Sequence, residues 1–123
     1  MNWILTSGAF LAMTGVMLGA FAAHGLKGRL DESLMSAFQT GVQYQLWHSL
    51  ALILLVLLYR HQPQPMLQWS AISILVGVVL FSGSLYMLAL TGMRFFGPIT
   101  PLGGLIMIFG WLLLVIASIR STF

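Results

Sequence analysis

The chain is built from four long, nearly uncharged apolar runs joined by short polar connectors, and no other feature constrains its fold as strongly. A bilayer hydrocarbon core is about 30 Å thick, so roughly 20 apolar residues of helix cross it. No formally charged side chain lies between Trp3 and Ala23, or between Ser70 and Leu90. Charged residues make up 6% of the chain and hydrophobic residues 59%, whereas ordinary soluble domains carry roughly 25% charge. A soluble domain of 123 residues has too high a surface-to-volume ratio to hide that much apolar area. The expected solvent is lipid. The expected architecture is an all-α four-helix transmembrane bundle, one integral membrane domain over residues 1–123.

The first span is expected over Trp3–Ala23. Its Ala20-Phe21-Ala22 imitates a signal cleavage site, but no Lys or Arg precedes the run and the run outlasts a usual signal h-region. Gly8, Gly15 and Gly19 recur along it, and small residues at such spacing let a neighbouring helix approach closely. The second helix is expected over 31–59, capped by Asp31 and starting in the interface, with Glu32 suited to the positive end of the helix dipole. At about 1.5 Å per residue it would reach about 43 Å, longer than the membrane core. Gly41 is a candidate bend.

Arg60-His61-Gln62-Pro63-Gln64-Pro65 reads as a turn, because its prolines stop a helix. The third helix is expected over 67–90, with Gly77 and Ser84 on a packing stripe and Gly92 in a left-handed C-terminal position. Thr100-Pro101 reads as N-cap and first helical residue of a span over 101–119, packed through Gly103 and Gly110.

The net charge of +3 rests on five cations at Lys27, Arg29, Arg60, Arg94 and Arg120, all at run borders. Such placement suits contact with lipid headgroups; a nucleic-acid partner would call for clustering and is not expected. The cations divide two and three between the two ends, which gives the positive-inside rule little to act on. With no cysteine, disulfides, thiolate metal sites and covalent haem attachment are excluded.

The densest polar constellation is on the second helix, where Gly41, Tyr44, Gln45 and His48 fall within an arc of roughly 100°. Polar groups at membrane depth normally face a bundle interior or water. With His24 and Tyr86 they form a candidate polar pocket near the His24 interface, rimmed by Lys27 or Arg94. The competing reading is structural, since such side chains often only bond neighbouring helices at about 1 kcal/mol or less. A bis-histidine haem site from His24 and His48 suffers from mismatched depths. Asp31 and Glu32 are the only carboxylate side chains, and as sequence neighbours they diverge on a helix. No metal site, cofactor or catalytic set is expected, and the chain is not expected to be an enzyme.

Four ordered segments carry a family resemblance: Gly19–Leu26, Thr40–His48, Phe81–Tyr86 and Thr100–Gly104. Together they resemble the YgdD/YwdK-type family of small multi-pass bacterial inner-membrane proteins, which has a mitochondrial-type relative in animals. The resemblance spans nearly the whole chain and implies a multi-pass protein of the bacterial inner membrane. It implies no catalytic residues. Ala22 stands where the resemblance leads one to expect Gly, which touches local packing only. The function expected is that of an accessory or assembly subunit binding lipids, a larger membrane complex or its own copies. The alternatives are a small oligomeric transporter or channel, and a quinone- or haem-binding membrane protein.

Overall fold

The computed structural model describes residues 1–123. Four helices, α1 (Asn2–His24), α2 (Glu32–His61), α3 (Pro65–Thr91) and α4 (Ile99–Arg120), run in sequence, with a 3₁₀ turn at Arg94–Phe96 before the last. All four are long and apolar enough to span a membrane.

Local chemistry sets the helix ends. Asp31 caps α2: its carboxylate accepts from the Leu34 amide at 2.8 Å and the Ser33 hydroxyl at 3.0 Å. Pro65 opens α3, where its missing N–H costs nothing. Gly92 closes α3 in the left-handed conformation at φ 71°, and its amide bonds the Leu88 carbonyl. The start of α4 differs from expectation. Thr100 is not its N-cap: the helix begins at Ile99, fed by the 94–98 turn, and the Thr100 hydroxyl bonds Ser84 on α3 at 2.6 Å. A hydroxyl used between helices is unavailable to cap its own.

The helices pack α1 on α2, α2 on α3 and α3 on α4, and no Cα of α4 comes within 8 Å of α1 or α2. The bundle is therefore open, with α2 and α3 central and α1 and α4 flanking. The Gly8, Gly15 and Gly19 strip of α1 rests on Ser49, Leu46 and Val42 of α2. The α3–α4 seam is tighter. A Cβ on Gly103 would sit 2.5 Å from the Phe81 amide nitrogen, and one on Gly110 would sit 3.0 Å from the Ser70 carbonyl. Met107 lies over Gly77, and the buried Ser70 hydroxyl donates to the Gly110 carbonyl at 2.7 Å. Lipid gives helices no water-driven reason to associate, so this close backbone fit supplies the dispersion contact that holds α4. α2 is unbroken through Gly41, over which the Tyr86 ring lies.

Two apolar clusters divide the interior. One draws Ile4, Leu52, Leu55, Leu67, Ile74 and Ala117 from all four helices. The other joins Ala22, Leu26, Phe38, Val42 and Ala89 without α4. Arg60 donates to Asn2 at 2.6 Å and Gln64 bonds Ser121, so both termini and the α2–α3 turn share one end. Outward-facing Phe10, Val16 and Met17 of α1, and Leu105, Ile108 and Val115 of α4, present apolar surface that suits acyl chains.

Candidate functional site

Between the two apolar clusters α2 carries its polar residues, and the structure gathers them at mid-membrane depth. Gln45, only 4% exposed, spans three helices. Its Nε2 donates to the Leu11 carbonyl at 2.9 Å and the Thr14 hydroxyl at 2.8 Å, both on α1. Its Oε1 accepts the Tyr86 hydroxyl of α3 at 2.6 Å. The Tyr86 ring reaches this position by crossing Gly41, where any Cβ would lie 2.7 Å from its Cε1. Ser82 braces the same crossing by donating to the Gly41 carbonyl at 2.7 Å.

One turn along α2, His48 links to α4. Nδ1 lies 2.8 Å from the Tyr44 carbonyl, which can only accept, so Nδ1 bears the proton. Nε2 then accepts from the indole Nε1–H of Trp111 at 3.0 Å. Together the two partners require the neutral Nδ1–H tautomer, because a proton on Nε2 would face the indole N–H. The Tyr44 ring stacks on the imidazole at 5.8 Å between centroids and 10° between planes. Phe81 packs against Tyr44 at 4.7 Å between centroids.

The expected constellation is thus assembled in part. Tyr44, Gln45, His48 and Tyr86 lie together, but the cluster sits at mid-depth rather than at the interface. His24 lies outside it, exposed at the end of α1. Ten residues separate His24 from Thr14, or about 15 Å of helix, too far for its ring to reach Gln45. His24 and His48 cannot pair as axial ligands at that separation. Lys27 and Arg94 are exposed in the end connectors and do not rim the cluster. No three His, Asp or Glu side chains converge, so the chain assembles no such ligand set.

Thr14 and Trp111 complete the cluster and were not anticipated. A signal was available for Trp111. Membrane tryptophans concentrate at the two interfaces, and one in mid-span, with an N–H to satisfy, implies an acceptor on a neighbouring helix.

A family model described as "Protein of unknown function (DUF423)" matches residues 18–104. The chain belongs to this family. The DUF423 match takes in Gln45, His48 and Tyr86 and excludes Thr14 and Trp111. A UPF0382 membrane protein of Staphylococcus epidermidis is 42% identical over 120 residues, covering 98% of each chain. UPF0382 membrane protein YwdK of Bacillus subtilis is 37% identical over 121 residues, again 98% of each. UPF0382 inner membrane protein YgdD of Escherichia coli is 40% identical over 114 residues, covering 90% of this chain and 87% of the relative. No solved structure matches the chain. Family membership and four membrane-length helices make this DUF423 protein a multi-pass protein of the inner, or cytoplasmic, membrane.

Proposed function

We infer that this protein is a non-catalytic accessory subunit that binds a larger complex within the cytoplasmic membrane. One observation carries the reading: the polar ends of Gln45, His48 and Tyr86 are filled within the chain. Gln45 uses both ends of its amide and His48 both ring nitrogens inside the chain. Substrate handling or proton relay calls for a group with an unfilled donor or acceptor facing a path. Here the same groups tie α1, α3 and α4 to α2. Buried networks of this kind fix helix register. What remains for interaction is the outside of the bundle: the apolar flanks of α1 and α4 and the short connectors. Both termini lie on one side of the membrane.

Extraction into native nanodiscs followed by native mass spectrometry tests this reading. A reproducible heteromeric complex is expected. Recovery only as a lone chain or homo-oligomer, together with substrate flux in proteoliposomes that His48→Ala abolishes, would replace it with transport.

A further inference from the structure

A second polar feature lies outside the saturated network, on the side of α2 away from α4. Glu32, Ser36, Gln39 and Gln43 follow one another at steps of four, three and four residues, so they share a stripe on α2, and all four are exposed. Across from them α1 offers Gly19 and Ala23, then Lys27 in the connector. The space between forms two joined grooves. The outer one, of ≈ 710 Å³, is lined by Lys27, Glu32 and Gln39 among others. The inner one, of ≈ 350 Å³, is lined by Gly19, Val42 and Gln43. Ala22, Ala23 and Gln39 line both, so the two grooves adjoin.

Their chemistry is ordered by depth. Charges of both signs stand at the mouth, beyond the end of α1 at His24. Two primary amides follow, with Gln43 level with Gly19, about 7 Å below His24 at 1.5 Å per helical residue. Small and apolar side chains lie at the bottom. None of the Lys27, Glu32, Gln39 and Gln43 side chains makes a hydrogen bond or ion pair inside the chain. The contrast with Gln45, two residues further on and fully bonded, is direct. An amide facing the membrane without a partner is unfavourable.

We propose that this groove is a binding site for a phospholipid with a primary ammonium headgroup, such as phosphatidylethanolamine. Lys27 pairs with the phosphate and Glu32 accepts from the ammonium. The Gln39 and Gln43 amides donate to the glycerol ester carbonyls, and one acyl chain descends along Gly19 and Val42. A headgroup with phosphate alone would leave Glu32 repelled, and a quaternary ammonium offers it no N–H. The apolar floor selects a lipid over a free phosphate ester. The site does not depend on the accessory role, so its failure leaves that reading intact.

The test is lipid retention by native mass spectrometry, with protein reconstituted in vesicles of equal phosphatidylethanolamine and phosphatidylglycerol. One charge-assisted contact of about 1 kcal/mol gives wild-type protein about a fivefold preference for phosphatidylethanolamine. Glu32→Gln is expected to bring that ratio to about one, Glu32→Asp to retain it, and Lys27→Gln to weaken both lipids. Gln39→Leu with Gln43→Leu is expected to shorten retention of either lipid, and excess soluble phosphoethanolamine to displace neither. Equal retention by wild type, or a preference that survives Glu32→Gln, overturns the proposal. So does displacement by phosphoethanolamine, or a second protein chain found seated on Gln43 by cross-linking. All four positions are exposed, and unchanged helix content by circular dichroism shows that each variant folds.

Discussion

Trp111 donates its indole N–H to Nε2 of His48 across 3.0 Å, and this is the only side-chain hydrogen bond between α4 and α2. The two helices have no Cα within 8 Å of one another, so two long side chains bridge a gap that the backbones leave open. Packing along α3 holds α4 in place, and the His48–Trp111 pair adds a direct tie between α4 and α2.

That division of labour makes the pair a measurable coupling. Trp111→Phe keeps an aromatic ring in place and removes only the donor, and is expected to lower stability by about 1 kcal/mol. In a His48→Ala background the same change is expected to add little, since the acceptor is already gone. A double-mutant cycle read by unfolding in mixed detergent micelles checks this. Strict additivity would show that the bond contributes nothing.

The α3–α4 seam offers a test with a built-in control. Gly103→Ala places a Cβ 2.5 Å from the Phe81 amide nitrogen and 2.9 Å from the Gly77 carbonyl, so α4 must shift outward. A loss of about 1–3 kcal/mol is expected, the usual cost of forcing a tight contact apart. Gly104→Ala meets nothing closer than 3.8 Å and is expected to stay within about 0.5 kcal/mol of wild type. Thermal unfolding of both variants decides the matter, and similar behaviour of the two would contradict the packing account.

The sequence showed much of this and missed the rest for identifiable reasons. Apolar run length, the Asp31 cap and the left-handed Gly92 are local properties, and each was readable within a few residues. Thr100 misled because a Thr–Pro pair resembles an N-cap, whereas its hydroxyl is taken by Ser84 sixteen residues away. Tyr44, Gln45 and His48 were visible as one arc because they share a helix. Their partners were harder. Relative depth between antiparallel helices depends on connector geometry, and a shift of a few residues exchanges one neighbour for another. Spacing alone therefore groups His24 with a cluster it does not reach, and does not reveal Thr14 or Trp111.

The Asp31 cap gives α2 a pH dependence at its interfacial end. Bonds from the Leu34 amide, first, and the Ser33 hydroxyl hold its carboxyl below the ordinary value of 3.8. A carboxyl lowered on folding adds stability that is fully present above its unfolded value. That stability disappears as pH falls through the lowered, folded one. Helix content of wild type is thus expected to be steady above pH 3.8 and to drop at lower pH. Asp31→Asn, which caps without titrating, is expected to lack that component of the drop. Identical acid profiles by circular dichroism would rule out the cap as its source.

Placement of the C-terminus and the α2–α3 turn on one side is checked by labelling, since the chain has no cysteine of its own. Ser121→Cys and His61→Cys are expected to react with an impermeant maleimide from one face of sealed membrane vesicles. Arg29→Cys and Met93→Cys are expected to react only from the other. Labelling of Ser121→Cys and His61→Cys from opposite faces would contradict a four-span topology.

Gln45, His48 and Tyr86 inside this DUF423 protein are all engaged within the chain, and His48 reports on that most directly. Histidine-selective ¹⁵N spectroscopy of the protein in lipid bilayers, with His48 assigned by substitution, reads which ring nitrogen carries the proton. The arrangement requires the neutral Nδ1–H tautomer, with Nε2 shifted by its bond to Trp111 and that shift lost in Trp111→Phe. An Nε2–H tautomer, or a doubly protonated ring at neutral pH, would show His48 free for other work and would contradict the account.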